Sequence, residues 1–215
     1  MVATTAVVVV LATMGLILIR TVGSGSDTAP RNLAEEAAAQ SAAALDPGLA
    51  LPLTLADAGF DAGTTEEATA EQGPGAAGVC GQRPAVEGLQ AWRANRLTDA
   101  AQQRRVGQML ARFRSATQAS AFLSANDGLL GCERWETTIA DGAVAFTATA
   151  SPAPTGLGDE ARQVDLASVG DGDRWYLRIL LIRRGDQVLQ LSYVSGSRAD
   201  LDALGPLATT ALAAL

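Results

Sequence analysis

The chain has 215 residues, 48% of them hydrophobic, 18% charged and only 4% aromatic. Its 16 basic residues are all Arg, they face 23 Asp+Glu for a net charge of −7, and His is absent. Such acidity excludes a nucleic-acid binder, which needs a basic face to neutralise phosphates. Without His, and with only two Cys, a His-based catalytic triad and a zinc site are excluded as well.

Length alone gives one domain with appendages. Val2 to Ile19 form an apolar run broken by Thr4, Thr5, Thr13 and Gly15 and ended by Arg20. It is about 18 residues long, close to the minimum for a ~30 Å hydrocarbon core. The unbroken Val7 to Val10 leaves no polar face for a surface helix. No basic residue precedes the run and the cleavage options near Val22-Gly23-Ser24 are weak, so residues 1–20 read as an uncleaved transmembrane anchor in preference to a signal peptide. Arg20, lying after the run, favours the opposite orientation on charge alone. The cysteines place the C-terminal portion outside the cytoplasm. Cys80 and Cys132 are an even pair in an export-like chain. A disulfide between them closes a loop of about fifty residues and adds ~3–4.7 kcal/mol on the chain-entropy model. The competing reading is two unrelated buried thiols.

Residues 21–48 read as a linker or stalk, partly helical. Thr21 to Ala29 are Gly/Ser-rich, Pro30 opens a helix over Asn32 to Leu45, and Asp46-Pro47-Gly48 stops it. The compact domain runs from 49 to 215. Within it, the acidic Gly-rich stretch Gly63 to Gly78 is expected to be poorly ordered. Strands follow at Leu89–Leu97 and Arg105–Phe113, the second with uncertain register. Ser115 then caps a helix from Ala116 to Leu130, ended by Gly131. The remainder alternates as a β meander: Trp135–Ala140, Ala143–Ala150, Arg162–Ser168, Arg174–Arg183 and Gln187–Ser195. Turns fall at Asp141-Gly142, Gly170-Asp171-Gly172 and Gly185-Asp186. A last helix spans Arg198 to Leu215, interrupted at Gly205-Pro206. The class is therefore α+β: an antiparallel sheet of about five to seven strands with helices packed on it.

A two-residue turn at Gly185-Asp186 sets Arg178 opposite Tyr193, Leu180 opposite Leu191 and Ile182 opposite Leu189. One face of this hairpin carries Trp175, Leu177, Ile179, Leu181, Val188 and Val194 and reads as core. The other is apolar near the turn and ends in Arg174, Tyr176, Arg178 and Tyr193. That mixed cationic and aromatic end is a candidate surface for an anionic or aromatic ligand; its plainer reading is a solvated sheet face.

Other motifs carry less. Gly156-Leu157-Gly158 lacks the strand–loop–helix setting and the Lys of a phosphate loop. Asp171 and Asp173 lack the remaining ligands of a Ca²⁺ loop. Asp159-Glu160 read as exposed neighbours, and no serine has a His or Lys base. The chain is read as non-catalytic, with no cofactor and no metal.

One succession of residues is familiar. Leu53-Thr54-Leu55-Ala56-Asp57 precedes a variable loop and Cys80. A strand pair follows, then a helix, FRSATQASAFLSANDGLLGC, that runs into Cys132. Pro154 to Ala161 (PTGLGDEA), the hairpin LRILLIRRGDQVLQLSYV and a terminal Ala/Leu helix complete it. From Leu49 to Leu215 this resembles the extracellular sensor domain of PknH-type serine/threonine kinases, found also on stand-alone anchored actinobacterial proteins. The resemblance implies an antiparallel sheet flanked by helices, a ligand cleft, and a place outside the cell membrane. Kinase-linked members carry two disulfides where this chain has cysteines for one. The resulting expectation is a single-pass, membrane-anchored, extracytoplasmic ligand-binding or sensor protein. Its partners would be the membrane and a small ligand or envelope protein, with no nucleic acid. The alternative is a structural or interaction module of the cell envelope. A binding role calls for a concave site of several hundred cubic ångströms; the alternative calls for an exposed apolar patch.

Overall fold

The computed structural model describes residues 30–74, 86–101, 103–127, 135–139, 142–169 and 174–215. The apolar run Val2–Ile19, Cys80 and Cys132, and Asp171 and Asp173 all lie outside these residues, and so does the anchor and disulfide reading built on them. Among the described residues no helix is long and apolar enough to cross a membrane.

Helix α1 (Pro30–Ala43) is followed by strand β1 (Gly63–Glu67), a 3₁₀ turn (Ala70–Gln72), β2 (Leu89–Asp99), β3 (Arg104–Phe113) and helix α2 (Ala116–Ala125). Then come β4 (Trp135–Ile139), β5 (Gly142–Ser151), β6 (Glu160–Val169), β7 (Tyr176–Arg184) and β8 (Gln187–Ser195). A 3₁₀ segment (Arg198–Ala203) and helix α3 (Leu204–Ala213) close the chain. The strands make one 8-stranded sheet in the order β1-β2-β3-β8-β7-β6-β5-β4, and each neighbouring pair is antiparallel. Two meanders therefore meet at β3 and β8, and the chain that carries α2 crosses from the middle of the sheet to its far edge at β4.

The added strand is β1, in the stretch expected to lack order. It has no apolar run to announce it. Its pairing with β2 is reinforced by ion pairs of Glu66 with Arg96 and Glu67 with Arg93. Gly63 permits the approach, since a Cβ there would stand 2.1 Å from the Thr98 carbonyl oxygen.

Both faces of the sheet are buried. On one, Trp92, Met109, Ala111, Phe113, Leu177, Ile179, Leu181, Val188 and Val194 pack under Ala119, Phe122 and Leu123 of α2 and under Ala44 beyond α1. Phe113 and Phe122 pack at 5.3 Å between ring centroids. Ser115 caps α2 as expected, its Oγ accepting from Gln118 N. Helix α1 is more than a stalk at its C-terminal end: Ser41 is fully buried, its carbonyl accepts from the Trp92 indole, and Leu45 bridges to Trp92.

On the opposite face, Leu97, Val106, Leu180, Ile182, Leu189, Leu191 and Tyr193 pack against Leu53, Ala58 and Phe60, against Leu201, and against Leu204, Leu207, Ala208 and Ala211 of α3. Each large side chain so buried contributes roughly 1.5–3 kcal/mol. Pro206 lies in the first turn of α3, where a missing N–H costs nothing. The 3₁₀ segment gives way to α-helix just ahead of it.

Candidate functional site

The β7–β8 register matches the one the turn dictates: Arg178 faces Tyr193, Leu180 faces Leu191 and Ile182 faces Leu189. Gly185 takes φ +60° in the turn. The surroundings of the cationic and aromatic end are different from a solvated face. Arg178 forms a bidentate pair with Asp165, its register partner on β6, with Nε–Oδ1 at 2.7 Å and Nη2–Oδ2 at 2.9 Å. Its Nη1 donates to the Leu201 carbonyl at 3.1 Å and to Asp202 Oδ1 at 3.2 Å. These contacts raise the Arg178 pKa, the hydrogen bond to Asp165 foremost. Tyr193 is 3% exposed. Burial pushes its hydroxyl pKa up, against the nearby positive charge of Arg104. Tyr176 is half-buried and Arg174 exposed. Arg178 and Tyr193 therefore hold the 3₁₀ segment Arg198–Ala203 over the sheet. A single sequence does not reveal this, because the neutralising carboxylates come from β6 and from beyond β8.

Asp159 and Glu160 are also committed internally. Arg183 binds Asp159 Oδ2 at 3.0 Å and Glu160 Oε1 at 3.1 Å, Ser120 of α2 donates to Glu160 at 2.9 Å, and Gly185 N donates to Asp159 at 2.8 Å. The Gly-Leu-Gly stretch before them is a packed turn. Leu157 is buried, and a Cβ on Gly158 (φ +62°) would stand 2.4 Å from the Arg183 carbonyl oxygen.

A concave site does exist, at a place the sequence reading did not indicate. It is a cleft of about 140 Å³ where the C-terminal end of α2 overhangs β5 and β6. Ala153, Ala161, Val164 and Leu181 form its apolar part, and Asn126, Asp127, Ser151, Arg162 and Gln163 its polar part. Local chemistry fixes these groups. Asn126, the C-cap of α2, donates through Nδ2 to the Phe122 carbonyl at 2.7 Å, and Gln163 Nε2 donates to Ser151 Oγ at 3.0 Å. Arg162 Nη1 donates to the Ala161 carbonyl at 3.1 Å, while its Nε stands 3.3 Å from Asp127 Oδ1. Ordered polar groups beside an apolar wall suit a small neutral or weakly polar group. The volume is below the several hundred cubic ångströms anticipated. Among the described residues the exposed large hydrophobic side chain is Val169, at 47%, which is no apolar patch.

A second polar cluster lies on the α2-bearing face, at the far end of β2 and β3. Arg105 is 6% exposed and its Nε has no hydrogen-bond partner. Burial lowers its pKa, and the like charge of Arg96 lowers it further.

No family model and no curated protein matches the chain. Solved structures show a distant likeness of fold. The extracellular domain of PknH from Mycobacterium tuberculosis has 15% identity and a TM-score of 0.48, over 59% of this chain and 64% of that one. A Rv0999 ortholog from Mycobacterium smegmatis has 12% identity and a TM-score of 0.33, over 61% and 69%. CalU16 from Micromonospora echinospora has 17% identity and a TM-score of 0.27, over 58% and 85%. The chain thus spans a little under two thirds of the PknH domain it matches.

Proposed function

We propose that the protein is a non-catalytic, extracytoplasmic ligand-binding module, tethered to the membrane by Val2–Ile19 and acting as a sensor through a partner. The observation that carries the binding role is the cleft between α2, β5 and β6, with its apolar wall and its fixed polar groups. The apolar run and the sequence resemblance over Leu49 to Leu215 support export and anchoring. The internal ion pairs of Asp159 and Glu160 with Arg183 support the absence of catalysis from those carboxylates.

The test is a thermal-shift screen of small neutral and polar fragments on the full chain in non-ionic detergent, run beside Ala153→Trp, which fills the cleft. Hits lost in the variant support the reading; hits retained there place binding elsewhere and overturn it. For export, a reporter active only outside the cytoplasm, fused to the C-terminus, should be active.

One observation favours the second reading, an interaction module of the envelope. Strand β4 pairs with β5 only from Gly142 to Phe146. Among the described residues Thr147 to Ser151 therefore have no outer neighbour, and a strand edge without a neighbour accepts an added strand.

A further inference from the structure

The unused polar cluster on the α2-bearing face is built from facing register positions. Arg105 stands opposite Thr98, and Arg96 opposite Gly107. On the other side of β3, Val194 pairs with Arg105 and Ser192 with Gly107. Two guanidinium groups and the hydroxyls of Thr98 and Ser192 thus occupy neighbouring rows of one face, with no side chain at Gly107 between them. The local charge does not balance. Asp99 is taken up by Arg104, at 3.0 Å, and by the Gln103 N–H, at 2.8 Å. Glu66 is paired with Arg96. Among the described residues no carboxylate pairs with Arg105, although it is more than nine-tenths buried and its Nε lacks a partner. A buried guanidinium left in this condition is costly, and the cost disappears when an anion supplies two oxygens to its planar fork.

We infer that Arg105, with Arg96, Thr98 and Ser192, forms a site for an oxyanion, a carboxylate or a phosphoryl group. Arg105 supplies the bidentate fork through Nε and one terminal nitrogen. Arg96 supplies a second positive field, and the two hydroxyls supply additional donors. The site is separate from the α2–β5–β6 cleft and does not depend on it.

The full chain in non-ionic detergent, labelled with ¹⁵N-arginine, would be titrated with inorganic phosphate and with propionate, using chloride at matched ionic strength as the control. The expected result is a saturable change in one Nε–Hε resonance, assigned to Arg105 by its loss in Arg105→Gln. A rise in Tm should accompany it with phosphate or propionate and not with chloride. The more effective anion identifies the source as a phosphate or an organic acid. Arg105→Lys retains the charge without the fork and should bind about tenfold more weakly. This variant also serves if Arg105→Gln does not fold. Absence of a saturable change with both anions overturns the proposal, and so does equal binding by Arg105→Lys.

Discussion

The Gln108 side chain holds the Leu53 peptide from both sides, accepting from Leu53 N at 2.9 Å and donating to the Leu53 carbonyl at 2.7 Å. Its Nε2 also donates to Asn95 Oδ1 at 3.0 Å. The 53–60 segment, which covers one face of the sheet, is thereby fixed to β3. Gln108→Leu leaves both backbone groups buried without partners, each costing about 1–3 kcal/mol. The expected loss is about 2–6 kcal/mol on that scale, read from the urea unfolding midpoint.

Arg178 and Asp165 are 16% and 14% exposed at their side chains. Removing one partner strands the other charge, which costs about 3–5 kcal/mol for a buried pair. Arg178→Met and Asp165→Leu should each fall in or near that range, and the double variant should recover most of the loss. A double-mutant cycle on unfolding free energies gives the coupling. Near-additivity would show that the pair is screened by solvent.

Gly156 and Gly158 have positive φ, +81° and +62°, but different surroundings. Nothing lies within 4 Å of a Cβ on Gly156, whereas one on Gly158 meets the Arg183 carbonyl oxygen at 2.4 Å and Ile182 Cγ2 at 2.7 Å. Gly156→Ala carries only left-handed backbone strain, about 1–2 kcal/mol. Gly158→Ala adds overpacking of about 1–3 kcal/mol. Thermal melts of the two variants should rank them in that order.

Stability should fall at both extremes of pH, for different reasons. Burial tends to raise the Asp99 pKa, but hydrogen bonds from the Arg104 side chain and from the Arg104 and Gln103 amides outweigh it, and the pKa is lowered. The stabilisation is therefore present above the unfolded value of about 3.9 and is lost as pH falls through the lower folded value. Asp99→Asn should flatten the acid limb below about pH 4. Tyr193 is the reverse case. Its folded pKa is raised, first by burial, so its contribution is present below about pH 10 and is lost above it. Tyr193→Phe should flatten the alkaline limb. Urea midpoints across both ranges check the two signs.

The hairpin register was legible because a two-residue turn with glycine leaves one pairing open and the apolar residues agree with it. The α2 cap was legible because Ser115 immediately precedes a helical stripe. Strand β1 was hidden because GTTEE has the composition of a loop, and its partners Arg96 and Arg93 are far along the chain. The second covered face was hidden for a related reason. Arg178 signals solvent until Asp165 and Asp202 are placed beside it, and only the folded topology places them. The cleft is less visible still, since Asn126 and Gln163 have no sequence pattern in common.

Because the β7–β8 hairpin is covered on both sides, its pleat is a shared wall. Alternate residues reach in opposite directions, so Leu181 and Val188 meet the α2 side while Leu180, Leu189 and Leu191 meet the α3 side. A cavity-forming substitution in either set therefore weakens the same two strands.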